Sequence, residues 1–126
     1  MWTECYHPKR TDRENFPFGE PILECAVAGT CHVINLGRAL DGMKPGDRVW
    51  LVREPYNKHD YDAVRIESIR GYKLGYIPKE FSKMISGKMD EDKKGDGKVL
   101  AIVRSIAPGH GTYVEIKIAV YNVNWK

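Results

Sequence analysis

The chain has 126 residues, 42% hydrophobic and 29% charged, the composition of one soluble globular domain with a single core, which excludes a disordered or membrane-embedded class. Its formal charge of +3 permits contact with a polyanion but lacks the long basic run that would announce one. The three cysteines, Cys5, Cys25 and Cys31, form no C-x-x-C pair, so neither a disulfide framework nor a zinc knuckle follows, and with no signal-peptide core or bilayer-length apolar run the expected setting is the reducing cytoplasm, away from membranes.

Residues 1–21 are polar, dotted with aromatics and closed by FPFGEP, and read as an N-terminal extension to a domain over 22–126. Cys5 and His7 are too isolated to hold a metal. From Ile22, ILECAVAGTCHVIN predicts one long bent strand, with Gly29 at a bulge or close backbone approach. LGRALDGMKPGD reads as a loop. RVWLVREP predicts a central strand with Val49, Leu51 and Arg53 on one side and Trp50 and Val52 on the other.

The turn that follows, REPYNKHDYDAVRI, is crowded with polar groups. Asn57 and Asp60 are ordinary turn formers that can bond their own backbone. DAVRIESIR then alternates Val64, Ile66 and Ser68 with Arg65, Glu67 and Ile69, and with RGYKLGYI it predicts a hairpin over Ile66 to Ile77, turned at Gly71. Ala63, Val64, Gly75 and Ile77 read as core or backbone-geometry positions. Pro78 opens a short helix whose apolar face is Phe81, Met84 and Ile85, ended by Gly87, with Lys83 and Lys88 on the solvated side. After the charged loop DEDKKGDG, two alternating strands flank a Pro-Gly and His-Gly turn. The expected fold is mainly β: a small closed or partly open six-stranded barrel of OB/SH3-like type with one short α-helix.

The common catalytic signatures are missing: no P-loop, dinucleotide fingerprint, H-E-x-x-H or G-x-S-x-G occurs. The available acids and bases are His32, Glu54, His59, Asp60 and Asp62. Cys31 and His32, neighbours on a predicted strand, point to opposite faces and make a poor nucleophile–base dyad, so Cys31 reads as a small apolar filler. His59, Asp60 and Asp62 have ligand-type side chains, but three of these in one turn are common by chance, and neither a metal nor another cofactor is expected.

Three blocks in order, VAGTCHV, GDRVWLVREPYNKHDYDAVRIES and KLGYIPKEFSKMI, resemble the HIRAN domain over about residues 22 to 121. The resemblance implies a small barrel of oligonucleotide-binding type, found on DNA-remodelling helicases and as short free-standing bacterial proteins. It implies a non-catalytic module that holds the 3′-hydroxyl end of single-stranded DNA, in repair or replication-fork processing, with a helicase or nuclease partner supplying the catalysis. Carried over, the pocket comprises Cys31, His32, Asn57, His59, Asp60, Tyr76, Lys79 and Tyr113.

In that pocket Asp60 would accept a hydrogen bond from the 3′-hydroxyl and repel a 3′-phosphate. Lys79, at the start of the helix, would neutralise a phosphate. Two departures from the pattern stand out: His32 and His59 replace stacking tyrosines, and Cys31 replaces an arginine. Each base-to-aromatic contact contributes on the order of 1–3 kcal/mol, so these changes imply a weaker grip. The alternatives are a protein-docking module anchored by Trp50, Tyr56 or the N-terminal extension, and a metal-dependent nuclease or hydrolase using His59, Asp60 and Asp62.

Overall fold

The computed structural model describes residues 20–91, 99–108 and 114–122. Six strands, β1 (Leu23–Ala26), β2 (Arg48–Arg53), β3 (Val64–Ser68), β4 (Lys73–Tyr76), β5 (Val99–Pro108) and β6 (Val114–Asn122), form one antiparallel sheet in the order β1-β6-β5-β2-β3-β4. Their alternation sends Val49, Val64, Ile66, Val103, Ile116, Ile118 and Val120 into one core with Val27, Leu74 and Ile77. The other face of β2 is solvated, with Trp50 exposed, so the period-two reading of the sequence holds.

The sheet curls until its two edges meet. Ala28, just past β1, and Tyr76 of β4 form an isolated antiparallel bridge. Ala28 N–H donates to Tyr76 O at 2.8 Å and Tyr76 N–H to Ala28 O at 2.9 Å. The result is a partly open barrel, and its closing seam depends on Gly75. At φ +154° Gly75 lies outside ordinary L-residue conformations, and a Cβ there would stand 2.3 Å from Ala28 O and 2.6 Å from Val27 Cγ1.

A bulge next to the seam sorts the side chains of β4. Glu67 pairs with Lys73 and Ile66 with Gly75, leaving Leu74 as the additional residue. Leu74 is thereby fully buried while Lys73 is exposed and Tyr76 half-buried.

Among the described residues two helices accompany the barrel, the one predicted after Pro78 and a shorter one before it: α1 (Leu36–Leu40) and α2 (Lys79–Asp90). Residues 36–40 were expected to lie in a loop, but Ala39 is buried there, and Arg70 ties the end of α1 by donating from Nη2 to Arg38 O at 3.1 Å and Asp41 O at 3.0 Å. The long strand predicted from Ile22 ends at Ala26. Gly29, at φ +77°, turns the chain into a 3₁₀ turn over Thr30–His32, so Cys31 and His32 sit on a turn, and Cys31 is exposed rather than a buried filler.

Helix α2 also differs in detail: it runs through Gly87 to Asp90 and buries Ser82, Ile85 and Ser86, while Met84 is 43% exposed. The start of α2 lies near β1. Burial first, and the Glu80 carboxylate second, push the half-buried Cys25 thiol up to about 11, so it stays protonated and unreactive. Except for Glu20 and Pro21, the predicted N-terminal extension lies outside the described residues, as do the charged loop DEDKKGDG beyond Glu91, whose first residue Asp90 ends α2, and the Pro-Gly and His-Gly turn beyond Pro108. No helix among the described residues is long and apolar enough to cross a membrane.

Candidate nucleic-acid interface

The polar turn between β2 and β3 is built around one buried carboxylate. Glu54 is 6% exposed. Its Oε1 accepts from Asn57 Nδ2 at 3.0 Å and from the Tyr76 hydroxyl at 3.0 Å, while Oε2 pairs with Arg65 Nη1. Arg65 Nε in turn donates to Glu67 Oε2 at 2.7 Å. Burial alone would raise the Glu54 carboxyl, but the hydrogen bonds from Asn57, Tyr76 and Arg65 outweigh it and hold the group below its ordinary value. The charge is fully used inside the fold.

From this post the turn winds through side-chain-to-backbone bonds. Asn57 Oδ1 accepts from His59 N–H at 2.9 Å and Asp60 N–H at 3.3 Å. Asp60 Oδ1 accepts from Asp62 N–H at 2.9 Å. These are the local bonds expected of Asn and Asp in turns.

The turn is then fastened to α2. Ser82 Oγ–H is shared between Asp60 Oδ2 at 2.8 Å and Lys79 O at 3.0 Å. One helical turn on, Ser86 Oγ–H reaches Asp62 Oδ1 at 3.4 Å. Arg53 clamps the far side, donating to Tyr61 O at 3.3 Å and, through two nitrogens, to Asp90 at 3.0 and 3.2 Å. The Ser82 hydroxyl first, then the Asp62 N–H, hold the Asp60 carboxyl below its usual range, with Lys79 and Arg53 adding to the effect. Asp60 is therefore a fixed anion with one protein donor on each oxygen, and each oxygen keeps a second lone pair for an outside donor.

Between this turn and the barrel seam lies an open cleft of about 360 Å³, lined by Ala28, Asn57, His59, Asp60, Ala63, Tyr76, Ile77 and Lys79. It offers an imidazole, an anion, an ammonium and a phenol ring over an apolar floor. Lys73 Nζ sits 4.6 Å from the centre of the Tyr76 ring. Helix α2 starts at the rim, and its N-cap, Pro78, provides no side-chain cap; Phe81 N–H donates to Pro78 O at 2.9 Å, which leaves the N–H groups of Lys79 and Glu80 to face an anion.

Of the residues singled out in the sequence, Asn57, His59, Asp60, Tyr76 and Lys79 converge on this cleft. Cys31 and His32 do not line it; they are exposed on the 3₁₀ turn that follows the seam residue Ala28. Tyr113 lies outside the described residues. Glu54, Ser82 and Ser86 position the turn and were not foreseen in that role. The serines at i and i+4 flanking Ile85 are the sequence signal, since buried hydroxyls on a helix need partners on the element they face. No group of His, Cys, Asp and Glu among the described residues is arranged to hold a metal ion.

Comparison with known proteins bears on the family and the fold. The family model for the HIRAN domain matches residues 22–121. A curated relative, the helicase-like transcription factor of Oryctolagus cuniculus, is 28% identical over 79 residues, which are 61% of this chain and only 8% of that protein. Among solved structures, a protein from Lactobacillus plantarum superposes with a TM-score of 0.69 at 20% identity, covering 84% of this chain and 96% of that one. The HIRAN domain of human HLTF superposes with a TM-score of 0.58 at 17% identity, covering 80% and 75%.

Proposed function

The chain belongs to the HIRAN domain family, a family of DNA-binding modules, and from that membership together with its cleft we propose that it is a non-catalytic module that holds the 3′-hydroxyl end of single-stranded DNA. The observation that carries the reading is the convergence of Tyr76, Lys79, His59, Asn57 and Asp60 on one open cleft. A terminal nucleotide needs a surface for its base, a cation for its phosphate and an acceptor for its hydroxyl. The Tyr76 ring and the His59 imidazole supply the first. Lys79, with the uncapped start of α2, supplies the second.

Asp60 supplies the acceptor. Its carboxylate is held by Ser82 and the Asp62 N–H, so it meets the 3′-hydroxyl without rearranging, and its charge repels a 3′-phosphate. Cys31 and His32, on the turn that follows the cleft residue Ala28, belong to this proposal as contacts to the terminal nucleotide, and Tyr113, which lies outside the described residues, is carried into it by the family resemblance alone. The context is DNA repair or replication-fork processing, where a helicase or nuclease partner acts on the end that this module holds.

The reading is tested by titrating a 5′-labelled oligonucleotide against wild type, Lys79→Ala and Tyr76→Ala while following anisotropy. Lys79 is exposed, so its loss should leave the fold intact, lower affinity for all sequences alike and reduce the salt slope by about 0.7. Tyr76→Ala should weaken binding by roughly tenfold or more, the value of one stacked base. Wild-type protein that binds no oligonucleotide at low salt would refute the proposal.

A further inference from the structure

The outer face of β2, β3 and β4 carries a second feature that leads away from the cleft. Trp50 of β2 pairs with Glu67 of β3, which pairs with Lys73 of β4, and the same face bears Tyr76 opposite Arg65. Each aromatic ring on it has a cation over it: Lys73 lies 4.6 Å from the Tyr76 centroid and Arg48 lies 4.9 Å from that of Trp50. The sheet spacing puts Trp50 roughly 12 Å from Tyr76, two strands across and about two residues along.

The electrostatics of this face are one-sided. Its carboxylates, Glu54 and Glu67, are both neutralised by Arg65. Arg48 and Lys73 have no carboxylate partner among the described residues. Trp50 is 42% exposed although its indole N–H is already satisfied by Ile69 O at 3.2 Å, which fixes the ring beneath the Arg48 guanidinium. Two cations without a carboxylate partner among the described residues, each lying over a held aromatic ring, form the arrangement that tracks a single strand, with phosphates on the cations and bases beside them on the rings.

Resting on the cleft reading above, we propose that the outer face of β2–β4 is a track for the DNA upstream of the bound 3′ end, with Lys73 and Arg48 contacting phosphates and Trp50 stacking a base a few nucleotides from the terminus. The strand enters over Tyr76, which the cleft and the track share. Arg48 and Trp50 serve only the upstream nucleotides.

A length series separates the two sites. Deoxythymidine oligonucleotides of two and eight residues, 5′-labelled and ending in a 3′-hydroxyl, are titrated against wild type, Trp50→Ala and Arg48→Glu. Wild type should bind the longer strand about tenfold more tightly than the dinucleotide. Both substitutions should remove that gain and leave dinucleotide affinity unchanged. Arg48 is exposed, so Arg48→Glu reports even if Trp50→Ala impairs folding. Equal affinity for the two lengths, or a gain that survives both substitutions, overturns the track while the cleft reading stands, and is the result expected if the face docks a protein instead. Absence of binding at either length and low salt overturns both.

Discussion

Gly75→Ala is expected to destabilise the protein by about 3 kcal/mol, from an unfavourable backbone conformation of about 1–2 kcal/mol and overpacking of a similar size, and to lower the melting temperature by on the order of 10 °C. The cause is local to the seam. An added methyl would stand 2.3 Å from the Ala28 carbonyl oxygen, which accepts one of the two hydrogen bonds joining the barrel's edges, and backbone cannot move aside as a flexible side chain can. Gly71 provides the control. It too has a positive φ, +92°, but no atom lies within 4 Å of where its Cβ would be, so Gly71→Ala should cost only about 1 kcal/mol. Thermal melts of the two variants isolate the seam contact, and equal losses would show that the Ala28 approach adds nothing. Because Ala28 and Tyr76 also line the cleft, Gly75→Ala should weaken oligonucleotide binding even where it remains folded.

Glu54→Ala is expected to have an effect of similar size, about 3 kcal/mol, through a different mechanism. Removing a buried carboxylate strands its partners, here the Asn57 amide, the Tyr76 hydroxyl and one arm of Arg65. Two of those are cleft residues, so binding should fall with stability. Glu54→Gln keeps an acceptor in place and should be milder. The pH dependence follows from the same group. Glu54 is held below its ordinary value of 4.5 and Asp60 below 3.8, so both stabilise the fold fully above about pH 5 and that contribution is lost as pH falls through their lower folded-state values. Urea unfolding should therefore show stability flat from pH 7 to 5 and declining below pH 4.5, with a shallower decline in Glu54→Gln. An unchanged acid limb in that variant would remove Glu54 from the account.

Much of this was legible in the sequence because strand alternation is a direct record of which face is buried. Val64, Ile66 and Ser68 are buried as the period-two pattern requires, and Val49 faces inward while Trp50 faces out. The turn residues Asn57 and Asp60 do bond their own backbone, as their short polar side chains predict. What escaped was set by tertiary contact. The five residues of α1 lack a capping side chain, and their helix is completed by Arg70 from a distant hairpin. The strand from Ile22 looked continuous because β-branched and small residues persist past Ala26, yet Gly29 adopts a left-handed conformation and diverts Cys31 and His32 onto a turn. On α2 the periodicity of apolar residues favoured Met84, but that helix faces a polar turn, so Ser82 and Ser86 are buried in its place.

The central claim concerns the chemistry of a DNA end, and Asp60 is where it is decided. Two 5′-labelled oligonucleotides of one sequence, ending in a 3′-hydroxyl or a 3′-phosphate, are titrated at low salt with wild type and Asp60→Asn. A hydrogen bond to a charged acceptor is worth roughly tenfold in affinity, so wild type should prefer the 3′-hydroxyl strand by at least that factor, and Asp60→Asn should narrow the gap. Equal affinity of wild type for the two ends, or a preference for the phosphate, would contradict it.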